Sequence, residues 1–170
     1  MYVIILLQAL LHVCCCVNTL IEPVETELIS DNVEVNRAIP MNATFYRTVK
    51  RYRCGTQNID DSYLLIYGSK GWSFPNQDVN VTLAYPTAHT RQFDTETFEE
   101  VIIVGFKVNL YLDGSHSVGY ISGGGIYEDS IALTFICSNI SRLFYQFWLY
   151  GVPKSNFDEL MSINKTYRIC

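Results

Sequence analysis

Basic residues are scarce in this 170-residue chain: 12 Lys and Arg stand against 17 Asp and Glu, a formal charge of −5. A surface that tracks nucleic-acid phosphates needs the opposite sign, so direct nucleic-acid binding is not expected. Histidine is scarcer still, at 3. The two that follow the first segment, His89 and His116, lie in polar stretches without a spaced partner and offer neither a metal set nor a positioned general base. No nucleophile elbow occurs, because the stretch around Ser117 has no glycine two positions before the serine. Gly123, Gly124 and Gly125 precede no Lys-Ser or Lys-Thr pair, which excludes a phosphate-binding loop of that kind. Asp94, Glu96, Glu99 and Glu100 lack the spacing and central glycine of a calcium loop. No catalytic residue, metal or cofactor is therefore expected, and carboxylate-only hydrolysis by Asp94, Glu96 or Glu99 is the one enzymatic route the residue types leave open. Long apolar runs are also lacking. Beyond the first segment the longest, Val101–Leu112, is broken by Gly105, Lys107 and Asn109, so no membrane span is expected there.

What the chain does have is apolar and aromatic mass, 49% and 14% of its residues, enough for a buried core. Residues 1–18 open with a short uncharged apolar run and end in small residues, the pattern of a secretory signal peptide, with a signal anchor as the alternative. Glycosylation sequons follow at Asn42, Asn80, Asn139 and Asn164. That exceeds the roughly one or two that chance would place among the asparagines, as expected of an extracellular glycoprotein. If the three consecutive cysteines of residues 14–16 leave with the signal, Cys54, Cys137 and Cys170 remain. An odd number in an oxidising compartment implies one internal bridge, either Cys54 with Cys170 or Cys54 with Cys137. The third thiol is then free, or able to link two chains as a disulfide-bonded homodimer.

The remainder divides into an acidic extended or disordered leader at 19–40, a single β domain at 41–151 and a C-terminal extension at 152–170. The leader carries Glu22, Glu25, Glu27, Asp31 and Glu34 without a compensating base until its end. A basic cluster follows it, Arg47, Lys50, Arg51 and Arg53, interleaved with Phe45, Tyr46 and Tyr52. It reads as an anion or nucleic-acid patch, as a processing site at Lys50 and Arg51 that releases the acidic leader, or as the solvated face of a strand.

From Gly55 onward apolar residues alternate with polar ones, the signature of antiparallel strands with one buried face. Over Val101–Leu112 the apolar set is Ile102, Val104, Phe106, Val108, Leu110 and Leu112, with Gly105 marking a bulge. Asp113 and Gly114 signal a hairpin turn into a strand at 117–122. A second hairpin is expected from 131–137 to 143–149, turning at 138–142 around the Asn139 sequon. Weaker strands at 45–53, 63–67 and 79–85 bring the count to about seven. The expected fold is all-β, a small antiparallel sandwich or barrel, with a short helix at 156–161 capped by Ser155. Trp72, Trp148 and the outward aromatics of the last strand either form a binding patch or bury against a second sheet.

The ordered series Leu64 and Leu65, Tyr85 and Pro86, Val101–Leu112, Gly119 and Tyr120, Ser122 with Gly123 and Gly124, then 131–138 and 143–151, resembles the insect multiprotein bridging factor 2 family. The chain departs from that pattern at Ala132, where members commonly carry Thr, and at Cys137 and Ser138, where they have a more basic turn. The resemblance implies one of two roles. One is that of the family's namesake, a transcriptional co-activator bridging a DNA-bound factor and the general machinery. The other is that of small secreted or salivary members without known activity. Together with the signal peptide and sequons, the expectation is a secreted non-enzymatic glycoprotein that binds a protein or other extracellular ligand, with the co-activator as the alternative.

Overall fold

A computed structural model describes residues 18–28, 47–56, 60–87, 100–163, 167–168 and 170. The fold is all-β, as the period-two pattern predicts: one antiparallel, strongly curled sheet and, among the described residues, a single short α-helix near the C-terminus. Its strands are β1 (Thr19–Ile21), β2 (Glu25–Leu28), β3 (Thr48–Thr56), β4 (Leu64–Tyr85), β5 (Val101–Leu112), β6 (Ser117–Gly124), β7 (Ile131–Pro153) and β8 (Tyr167–Arg168). A 3-10 turn at Asp61–Tyr63 precedes β4, and helix α1 (Lys154–Ile163) follows β7.

β7 is the axis of the sheet. Its first half pairs with β6 on one edge and the end of β4 on the other; its second half lies between β5 and the start of β4. Both expected hairpins are thereby corrected. β5 and β6 run in one direction, end to end along the same edge of β7: Leu112 faces Leu143 and Ser117 faces Cys137. Asp113 and Gly114 are a step between them. Residues 138–142 are likewise no hairpin turn but a bend inside one 23-residue strand. Asn139 takes a left-handed φ of 54° there, a conformation asparagine tolerates. Carboxylates from neighbouring strands satisfy the backbone at this bend: Asn139 N–H donates to Asp78 (2.8 Å) and Ser141 N–H to Asp113 (3.1 Å). Pro75, which cannot donate to a ladder, falls at the matching irregularity of β4 between Ser73 and Gln77.

Folding at this bend lays β3 and β5 over β6 and the first half of β7. The enclosed core includes Tyr52, Phe106, Val108, Leu110, Leu112, Leu133, Phe135, Cys137, Leu143 and Leu149. Each fully buried large apolar side chain contributes about 1.5–3 kcal/mol. The expected bulge lies between Ile103 and Gly105 and changes which residues face inward. Ile103 joins the main core, while Val104 joins a second cluster on the outer face with Tyr150, Val152 and Leu160. Gly55 of β3 allows this close approach, since its φ is 112° and a Cβ would stand 2.3 Å from the Val104 carbonyl oxygen.

The supposed leader and extension both belong to the sheet as far as they are described. β1 pairs with β6, and after three intervening residues β2 pairs with β3, so residues 19–28 strap the two free edges of the curled sheet together. Ile21 is buried in the core, and Gly119 lets it approach Phe135. At the other terminus α1 begins at Lys154 rather than at 156, which puts Ser155 inside its first turn. Phe157 and Leu160 pack on the outer cluster, and β8 returns to β3.

Candidate functional site

Strand alternation disperses the basic cluster. Lys50 and Tyr52 point inward: the Lys50 ammonium donates to the Ser117 carbonyl of β6 at 2.8 Å, and the Tyr52 hydroxyl lies 3.4 Å from Ser117 Oγ. Burial pulls the Lys50 pKa down, partly opposed by Cys137, and burial pushes the Tyr52 phenol up. Arg51 points outward and pairs with Glu25 and Glu27 of the strap, each at 3.0 Å. Lys50 and Arg51 thus sit in a strand hydrogen-bonded on both edges. Arg47 and Arg53 are exposed and line two separate clefts. These four residues do not form one patch. Phe45 and Tyr46 lie outside the described residues.

Cys54 and Cys170 form the internal disulfide, with Cα atoms 5.3 Å apart. Among the described cysteines Cys137 is the free thiol and is wholly buried, with its pKa pushed up by burial to about 11. Its burial keeps it from the surface while the core is intact. Two sequon asparagines are described, Asn80 on β4 and Asn139 at the bend of β7, and both are exposed. Asn42 and Asn164 lie outside the described residues, as do His89, Asp94, Glu96 and Glu99. Glu100 pairs with Lys154. His116 is exposed on the step between β5 and β6. Among the described residues no group of three or more His, Cys, Asp or Glu could hold a metal ion, and no helix is long and apolar enough to cross a membrane.

The two tryptophans have different surroundings. Trp72 points inward against Tyr145, their ring centroids 5.7 Å apart. Trp148 is on the outer face, 5.3 Å from the half-exposed Tyr67, beside Lys107, whose ammonium lies 4.9 Å from the Tyr150 ring centre. Gln146 accepts from Asn109 (3.4 Å) and from the Tyr111 hydroxyl (3.0 Å) on the same face. Helix α1 and Tyr63 cover one end of this face.

A more concave feature lies beside the bend of β7. A cleft of about 500 Å³ is lined by Leu28, Arg47, Thr48, Asp113, Gly114, Ser115, His116, Ser138 and Asn139. These residues come from the end of β2, the start of β3, the step after β5 and the bend itself. No sequence spacing joins them, and only Arg47, His116 and Asn139 stand out as candidates from sequence. The second cleft, about 330 Å³, lies at the disulfide and is lined by Leu20, Ile21, Glu22, Val24, Arg53, Cys54 and Cys170.

The fold and these sites define an antiparallel β domain with surface clefts and an internal disulfide. Comparison with protein-family models, with curated proteins and with solved structures finds no match to this chain.

Proposed function

We propose that this chain is a secreted, non-enzymatic β-domain glycoprotein of the multiprotein bridging factor 2 type, which acts by binding a protein or other ligand outside the cell. The observation that carries the reading is the Cys54–Cys170 disulfide, a bond that persists in oxidising compartments and is rare in the nucleus and cytosol. The exposure of Asn80 and Asn139 supports it, since a glycan can leave either position without disturbing the core. So does the distribution of polar groups, which line clefts and an outer sheet face suited to binding. The alternative, a co-activator bridging a DNA-bound factor and the general transcription machinery, rests on the family resemblance and requires the same cysteines to work reduced. Expression of the full chain with a C-terminal tag in insect cells tests the choice. Tagged protein in the medium that shifts on N-glycosidase treatment supports secretion, and accumulation in the nucleus supports the co-activator.

A further inference from the structure

The cleft beside the β7 bend brings a guanidinium together with several side chains able to donate hydrogen bonds. Arg47 is exposed, and among the described residues its guanidinium has no partner. The His116 ring and the hydroxyls of Ser115 and Ser138 are likewise uncommitted among those residues. Thr48, 1% exposed, holds an Oγ1 without a hydrogen-bond partner, which is uncommon for a buried hydroxyl. The carboxylate, the side-chain amide oxygen and one backbone carbonyl beside the cleft are already engaged. Asp113 takes the Ser141 N–H on both carboxylate oxygens and the Ser141 hydroxyl on Oδ2. Asn139 Oδ1 accepts from Asn76 Nδ2 at 2.6 Å. The His116 carbonyl accepts from Ser138 N–H at 3.1 Å.

Arg47, His116, Ser115 and Ser138, four groups able to donate, surround a cleft of about 500 Å³ and suit a ligand rich in acceptors. Two oxygens of a carboxylate, sulfate or phosphate group match the fork of a guanidinium in particular. Leu28, 74% exposed, adds one apolar wall against which the body of such a ligand can rest. We infer that this cleft is a binding site for an oxyanion, a carboxylate, sulfate or phosphate group, carried on a body up to about the size of a sugar ring. Arg47 holds the charged group and His116 with Ser115 and Ser138 completes its ring of donors. Asp113 is a positioning residue: by fixing Ser141 it holds the bend that places Ser138 and Asn139. The inference rests on reading the chain as a binding domain, and does not depend on where the cell delivers it.

The test uses the protein exported to a bacterial periplasm, where the disulfide can form and no glycan occupies Asn139. Sodium sulfate, sodium phosphate and sodium glucuronate are titrated separately against a sodium chloride baseline of equal ionic strength, and backbone and Arg side-chain NMR shifts are followed. Saturable shifts are expected at Arg47, Gly114, Ser115, His116 and Ser138. Tighter binding of glucuronate than of the inorganic ions identifies an acidic sugar-like ligand; equal binding identifies the oxyanion alone as what is recognised. Arg47→Gln, an exposed change that leaves the core untouched, should raise the apparent Kd about tenfold. Arg53→Gln, in the other cleft, should leave it unchanged. Shifts that do not saturate above the chloride baseline, or equal effects of the two substitutions, would overturn the assignment. Failure of the chain to be secreted from insect cells would leave this titration unaffected, so the two readings fail separately.

Discussion

Lys50 on β3 donates to the carbonyl of Ser117 on β6, 2.8 Å away across the inside of the curled sheet. The two residues are 67 positions apart and on strands that do not pair, so the bond measures how far the sheet has folded over on itself. Beside it sits Cys137, register partner of Ser117. This corner is where the fold should respond most clearly to pH.

The Cys137 thiol is raised by burial from its ordinary 9.0 to about 11. A raised pKa means that the folded state holds the proton more tightly than the unfolded chain. The associated stability is fully present below about pH 9 and is lost as pH rises to about 11. A two-unit shift corresponds to about 2–3 kcal/mol. In urea denaturation at a series of pH values, wild-type protein should lose that much more stability over this interval than Cys137→Ala, which has no thiol to ionise. Parallel pH profiles would show that the thiol is not held in a dry core.

Phe106 is 0% exposed in the main core. Phe106→Asp should prevent folding, because an unpaired buried carboxylate costs several kcal/mol against a total stability of about 5–15. Phe106→Ala should cost about 3–5 kcal/mol in thermal or chemical denaturation. Tolerance of both would place the wrong face of β5 in the core.

The strap is held to β3 by Arg51 between Glu25 and Glu27 as well as by its ladder. These pairs are partly exposed, so Glu25→Gln with Glu27→Gln should cost only about 1 kcal/mol, less at high salt. The local effect should be larger than the global one. Hydrogen exchange should accelerate in 19–28 and along the freed edges of β3 and β6, while the amides of β7 stay protected. Uniform acceleration throughout the sheet would mean that the strap is not a separately opening unit.

The Cys54–Cys170 bridge closes a loop spanning 116 positions. Replacing both cysteines by Ala should destabilise the domain by about 2–5 kcal/mol, measured by denaturation under oxidising conditions. A variant as stable as the wild type would indicate that the unfolded chain gains no freedom from the missing link.

The strands themselves are legible because a half-buried antiparallel strand must alternate, and 106–112, 131–137 and 143–149 each carry one apolar face at period two. The connections are less so. Asp113 and Gly114 carry the residue types of a tight turn, but β7 offers one long edge on which β5 and β6 can follow each other. The bend at Asn139 is supported by Asp78 and Asp113, partners remote in sequence that no local pattern reveals. Glu25 and Glu27 resemble a solvated acidic leader until Arg51 is placed opposite them. Their two-residue spacing was the one available sign that they share a strand face. The cleft was illegible for the same reason: it forms only when the bend, the step and the ends of β2 and β3 come together.

The most direct measurement is peptide mapping by mass spectrometry, without reduction, of the native protein isolated from wherever it accumulates. The account predicts protein from the extracellular medium in which the Cys54 and Cys170 peptides are covalently joined, Cys137 is recovered as a free thiol, and Asn80 or Asn139 carries a glycan. Intracellular protein with Cys54 and Cys170 both reduced and neither asparagine modified would contradict it.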